Sequence, residues 1–190
     1  MGLTMRPSNP AVRGIGLALR ASRDEIVEQW TSWVAAQMTA APQIERPTVA
    51  RQLALLVDTM IEMTGPLRRR LLELWISACE TYGRAAAERG LAAGEVVEEM
   101  QHLRELLIRH LSEMVASLPA RQSMATFLRL NRVLDRGISH AVVGYTDALV
   151  ETLLNQRGVP VPLEAPMAHD LAGRLDQFEA ELQRLRDLSL

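Results

Sequence analysis

LLELWISACETYGRAAAERGLAAGEVVEEMQHLRELL, residues 71–107, decides the fold class. Its first half continues a stripe of Leu67, Leu71, Leu74, Trp75, Ala78 and Tyr82 that starts at Pro66 and stops near Gly90. Its second half opens a stripe of Val96, Met100, Leu103, Leu107, Leu111 and Met114 that runs on towards Pro119. Apolar residues at steps of three and four coat one side of an α-helix, whereas a strand would alternate at every second residue. Two such helices joined by a short link become antiparallel neighbours, so the stretch implies a helical bundle.

The same periodicity extends in both directions. Upstream, Ser22 followed by Glu25 has the spacing of a capping box. It precedes Ile26, Val27, Trp30, Trp33, Val34 and Met38, giving a helix from about Ser22 to Thr39 after a short helical turn through Ala11 to Arg20. Pro42 and Pro47 punctuate, and Val49, Leu53, Leu56, Met60 and Met63 form the next helix, ended by Gly65 and Pro66. Downstream, Phe127, Leu130, Leu134, Ile138, Ala141 and Tyr145 share one face of a long helix ending near Gly158. No run alternates with a strand's period. The fold expected is all-α: an up-and-down bundle of four or five helices, with globin-like packing as a variant, followed by a C-terminal coiled-coil helix. Residues 1–10 are expected as a disordered tail, 11–158 as the bundle, 159–166 (VPVPLEAP) as a hinge and 167–190 as the terminal helix.

In that last segment Leu171, Leu175, Phe178, Leu182 and Leu185 recur at alternating steps of four and three, the 3.5-residue repeat of a coiled-coil seam. With Leu175 and Leu182 as a positions, a parallel self-pair sets Arg174 against Glu179 and Glu181 against Arg186, and both contacts are attractive; an antiparallel pair also brings opposite charges together. The expectation is a homodimer held partly by this seam, acting as a lever towards an output module. The other arrangement is a terminal helix folded back on its own bundle.

Composition bounds the function. The chain of 190 residues is 48% hydrophobic, enough for a substantial core, and 4% aromatic, which suits Leu, Val, Ala and Met packing. A net charge of −2, without a basic patch, argues against nucleic acid as a partner. All basic residues are Arg. Cys79 has no cysteine to pair with, which suits a reducing compartment. The sequence contains neither a long apolar span nor a signal peptide, so a cytoplasmic, membrane-free protein is expected.

The usual catalytic signatures are missing: there is no phosphate-binding glycine loop, GxSxG, HExxH or CxxC. An enzyme is therefore not expected, and any catalysis would belong to a separate output domain. Glu99 and His102 have the ExxH spacing of a di-iron bundle ligand pair, but no second pair exists, and a solvated charged face is expected there. For haem, His102 and His140 lie about 135° and 125° from their stripes, leaving His110, about 55° off its own, as the axial candidate. No cofactor is expected, with haem on His110 as the alternative. At the core margin Tyr82, Arg104 and Asn131, with Trp75 and His110, form a candidate ligand pocket offering one cation and several hydrogen-bonding groups. Met38, Met60, Met63, Met100 and Met114 read as core filler.

The run from Leu71 to Leu107, followed by LNRVLDRGISHAVVGYTDALVE from Leu130 and preceded by DEIVEQW from Asp24 to Trp30, resembles the RsbRD-type N-terminal domain. The resemblance implies a helical input module found ahead of output domains in stressosome co-antagonist proteins and in bacterial sensor histidine kinases. The family's recurring features fall on Trp30, Tyr82, Gly83, Gly90, Glu99, Leu103, Arg104, Leu134, Asp135 and Tyr145. The family often has an aromatic where Met100 stands here. No STAS-like sequence follows. What results is the expectation of a dimeric signal-input domain that passes a conformational change through its terminal helix to an output domain or partner signalling protein. The alternatives are a haem- or metal-binding gas or redox sensor and a ligand-free dimeric scaffold.

Overall fold

The computed structural model describes residues 10–37, 46–64, 68–157 and 167–188. Seven helices are present among them: α1 (Pro10–Ala21), α2 (Arg23–Gln37), α3 (Arg46–Glu62), α4 (Arg68–Glu88), α5 (Ala93–Ala116), α6 (Ala120–Gln156) and α7 (Met167–Asp187). The tail expected over 1–10, apart from Pro10, and the hinge over 159–166 lie outside the described residues. The all-α expectation holds, and the helical turn before Ser22 is a full helix, α1.

Helix boundaries follow local chemistry. Asp24 and Glu25 occupy the first turn of α2, where carboxylates oppose the positive end of the helix dipole. The Glu95 carboxylate accepts the Ala92 backbone N–H at 2.6 Å, closing the start of α5. At the end of α4, Gly90 adopts φ 79°, a left-handed conformation that glycine takes without a Cβ penalty. Leu91 N–H then reaches Ala86 O at 3.2 Å and Gly90 N–H reaches Ala87 O at 3.0 Å, the paired bonds of a Schellman cap.

Helices α3, α4, α6, α5 and α2 pack in a closed circuit, each against the next and α2 back against α3. Helix α1 lies over α5 and α3, and α7 lies outside the circuit on α3 and α4. Trp30 and Trp75 are fully enclosed and Tyr145 is buried, as their stripes require. The closest approach is between α4 and α6. A Cβ on Gly83 would stand 1.8 Å from Ala141 O, and one on Gly144 would stand 2.0 Å from Glu80 O. At Gly137 a Cβ would meet the Trp75 ring at 2.5 Å. Backbone touches backbone here, and the indole of Trp75 fills the notch that Gly137 leaves.

The seam of α7 is covered within the chain. Leu171, Leu175, Leu182 and Leu185 are buried and Phe178 packs against the same core, with α3 and α4 supplying the surface that a second copy was expected to supply. Two of the four charges assigned to an inter-chain pairing, Glu179 and Arg186, take part in this docking. Arg51 of α3 holds Glu179 at 2.6 Å, and Arg186 reaches Glu62 at 2.9 Å. An amphipathic stripe must be covered by something apolar, and the α3–α4 groove is tethered to it at high effective concentration.

The helix contacts can be tested by adding one methyl group. Gly144→Ala should cost about 1–3 kcal/mol or more, since overpacking against a backbone carbonyl leaves no side chain to yield. Gly173→Ala in α7, where a Cβ meets nothing within 4 Å, should be stabilising by up to about 1 kcal/mol. Urea midpoints that fail to separate the two would contradict the α4–α6 contact.

Candidate functional site: a buried charged cluster

Three ionisable side chains meet inside the circuit. Arg89, at the capped end of α4, places two guanidinium nitrogens on the Glu99 carboxylate of α5 at 2.9 and 2.7 Å. Tyr82, two turns earlier on α4, donates its hydroxyl to the same carboxylate. The Arg89 guanidinium also sits over the Tyr82 ring, 5.5 Å from its centroid. All three residues are buried, the side chains of Arg89 and Glu99 being 2% and 3% exposed. Trp30 of α2 donates its indole N–H to the backbone carbonyl of Glu99 at 3.0 Å, and its ring lies 6.0 Å from that of Tyr82. Tyr145 of α6 donates to Leu91 O at 2.8 Å, tying the α4–α5 turn to the long helix. Four helices thus converge on one short stretch of α4 and α5.

A bidentate arginine–carboxylate pair is strong in attraction but has lost its hydration, so the cluster fixes how the helices fit together at a cost in solvation. Burial, then the Glu99 charge, pushes the Tyr82 hydroxyl well above the ordinary phenol range, keeping it a donor. The Arg89 Nε is buried without a hydrogen-bond partner. The solvated face expected at Glu99 and His102 is corrected on both counts. Glu99 stands three residues after Val96 and four before Leu103, on the apolar stripe itself. His102 is packed flat on Trp33 of α2, ring centroids 4.5 Å apart, because α5 has α2 on one side as well as α6 on the other. Burial lowers the His102 value, favouring the neutral ring in that stack.

The five side chains of the candidate pocket each have their own engagement, and no described hydrogen bond or ring contact joins any two. Trp75 donates to Val133 O at 3.2 Å, Tyr82 to Glu99, Arg104 of α5 to Asp135 of α6, and Asn131 to Phe127 O of its own helix at 3.0 Å. His110 Nδ1 lies 3.9 Å from Glu25, and its Nε2 is buried without a hydrogen-bond partner. Among the described residues no three His, Cys, Asp or Glu side chains are grouped as a metal site. His140 faces Glu80 at 2.8 Å across the α4–α6 contact.

Removing Arg89 should leave Glu99 as an unpaired buried charge, so Arg89→Ala should cost about 3–5 kcal/mol. Tyr82→Phe keeps the ion pair and should cost about 1–3 kcal/mol. The triple replacement Tyr82→Phe, Arg89→Met, Glu99→Leu should recover most of the loss, since an apolar core of similar volume has no charge to desolvate. Chemical denaturation of the three variants checks the order, and a loss below about 1 kcal/mol for Arg89→Ala would contradict burial.

Stability should also fall on the alkaline side. Burial, then the Glu80 charge, raises the Cys79 thiol, and Tyr82 is raised as above. The folded chain therefore keeps protons that the unfolded chain releases above about pH 8.5 for the thiol and about 10 for the phenol. The unfolded state binds fewer protons there, so stability decreases as pH rises. A urea midpoint that does not fall between pH 7 and 10.5, or rapid labelling of Cys79 by a thiol reagent in the native state, would contradict it.

A family model described as the RsbT co-antagonist protein rsbRD N-terminal domain matches residues 24–159. No curated protein and no solved structure matches the chain. The matched span runs from the first turn of α2 past the end of α6 and encloses the whole charged cluster. The family features that the resemblance placed on this chain supply Trp30, Tyr82, Glu99 and Tyr145 of the cluster and its ties, Gly90 of the cap, Gly83 of the helix contact and the Arg104–Asp135 pair. Residues 24–159 being most of its length, the chain belongs to the family of RsbT co-antagonist rsbRD N-terminal domains.

Proposed function

We propose that the chain is the signal-input domain of a cytoplasmic bacterial signalling protein, and that α7 is the element through which its state is passed on. The family is one of regulatory, non-catalytic N-terminal domains of the stressosome type. Whether the output is a stressosome partner or a sensor histidine kinase, the domain's task is to present two arrangements of one terminal helix. The observation that carries this reading is the double use of the α7 stripe. Leu171, Leu175, Leu182 and Leu185 are buried on α3 and α4, while their 3.5-residue spacing and flanking charges also fit pairing with a second copy.

The two arrangements compete for the same residues. Arg51 holds Asp176 and Glu179 in the docked form, and Arg186 shares Asp58 and Glu62 with Arg23 and Arg20 of α2 and α1. In the paired form Glu179 and Arg186 face Arg174 and Glu181 of the other copy. Because both forms bury the same leucines, their difference in free energy is small compared with the burial itself. A stimulus then needs only a modest differential affinity to shift the balance.

Arg51→Glu tests the latch without touching the seam. It should repel Asp176 and Glu179, lower hydrogen-exchange protection of α7 amides severalfold and raise the dimer fraction seen by light scattering. Adding Leu175→Asp and Leu182→Asp should abolish that dimer. Unchanged protection and an unchanged association state in Arg51→Glu would refute the latch.

A further inference from the structure

Helix α6 has one committed face and one open face. Gly137, Ala141 and Gly144 turn inward on α4, with α5 and α1 on the same side, and no described element packs on the other. Seven of the nine large apolar side chains exposed among the described residues stand on this helix, so uncovered apolar surface is concentrated here. On the outward side two series run at seven-residue spacing. Arg132, Ser139, Thr146 and Leu153 form one, Arg136, Val143 and Val150 the other, and all seven are exposed. The series interleave at steps of four and three, which makes the 3.5-residue repeat of a helix–helix seam, with small side chains at its middle.

Charge decides what can lie on this seam. The first half of α6 carries Arg121, Arg129, Arg132 and Arg136 against one carboxylate, Asp135, which Arg104 holds. The second half carries Asp147 and Glu151, which share the single cation Arg84. A second copy laid antiparallel about Ala141 sets Arg132 and Arg136 level with Glu151 and Asp147 of the other copy, Ser139 against Val143, and Leu128 against Leu153. The arginine stems can lie along Val150 and Thr146 while their heads reach the carboxylates. A parallel copy would set Arg132 on Arg132, Arg136 on Arg136 and Asp147 on Asp147, each a repulsive meeting. The outward face is therefore complementary to itself under a two-fold axis, the commonest symmetry of soluble oligomers.

We propose that the outward face of α6 is a self-association surface on which a second copy of the chain docks antiparallel, α6 on α6, with the axis near Ala141. A single helix pair lies at the low end of specific interface sizes, so the contact is weak and reversible on its own. It uses no residue of α7, so it stands or falls separately from the latch, and exchange at α7 remains free to change the degree of association.

Oxidative cross-linking of two surface-cysteine variants of the full chain, Leu128→Cys and Leu153→Cys, tests the register. The two positions stand about 37 Å apart on one helix, too far for an internal disulfide. The native Cys79 is buried. Mixed in equal amounts, one of them tagged, the variants should give the mixed disulfide dimer in about tenfold excess over the product of either alone, because only 128 and 153 of different copies come within disulfide reach. Arg132→Glu with Arg136→Glu should cut the mixed product severalfold and leave the thermal midpoint unchanged, since both side chains are exposed and neither takes part in a described ion pair. Equal cross-linking of each variant with itself would overturn the antiparallel register. Absence of any cross-link at millimolar chain, or a mixed product that the charge reversal leaves unchanged, would overturn the contact. Co-sedimentation with phosphatidylglycerol vesicles in place of cross-linking would overturn it in favour of a lipid surface.

Discussion

The contact on which the remainder of the structure depends is the meeting of α4 and α6 backbones at Gly83, Ala141 and Gly144. Cβ atoms placed at either glycine would overlap a carbonyl oxygen, so two helices of this length can lie this close only where side chains are absent. That approach fixes the rotation of α4 about its own axis. With Gly83 turned to α6, Tyr82 is turned inward to α5 and α2. Trp75, two turns earlier, is set into the notch at Gly137, where its indole N–H reaches the Val133 carbonyl. A single side chain at Gly83 or Gly144 would push the helices apart and turn both aromatics out of their places.

From that rotation the charged cluster follows. α4 must end where Arg89 can fold back over Tyr82, and the left-handed turn at Gly90 ends it there. α5 then returns with Glu99 level with both partners. Buried ion pairs are poor sources of net stability, because desolvation consumes most of the attraction. Their effect is on alternatives: a register shift of α5 by one turn would strand a carboxylate and a guanidinium in an apolar interior, at several kcal/mol each. The hydrophobic stripes of α4 and α5 tolerate such sliding, since Leu, Met and Val are interchangeable in outline. The Arg89–Glu99–Tyr82 group does not, and Trp30, bonded to the carbonyl of Glu99, extends the same constraint to α2.

The helices were legible because their apolar spacing is a one-dimensional property, and burial of Trp30, Trp75 and Tyr145 followed from it. The cluster was legible only in part. Tyr82 stood out as a polar group within a stripe, and Glu99 carried the same signal between Val96 and Leu103, but its spacing to His102 drew attention to the wrong face. Arg89 lay beyond the last stripe residue of α4, where periodicity gives no orientation, and only the fold-back at Gly90 brings it inside. The margin residues Arg104, His110 and Asn131 sit at stripe edges, as their spacing requires. Which partner an edge residue finds depends on the neighbouring helix, and a single helix's pattern does not contain that information.

The same limitation explains α7. A heptad stripe states that a helix needs an apolar cover and is silent about which chain provides it. Here the α3–α4 groove of the same chain provides it, at the high effective concentration of an intramolecular contact. In the proposed exchange, what makes the docking conditional is its polar component. The leucines bury equally well in a groove or a coiled coil, whereas Arg51, Glu62 and Asp58 interact with α7 only when it is docked. The Arg51 pairs with Asp176 and Glu179 are exposed and individually weak, whereas Arg186 reaches the buried carboxylate of Glu62. In the proposed relay, the circuit of helices fixed by the buried charge cluster is the frame, and the terminal helix, held on α3 and α4 by leucines and ion pairs, is the part that moves. An input domain of the proposed kind needs that separation, because a stimulus can redirect a helix only where the alternatives differ by less than the stimulus can supply.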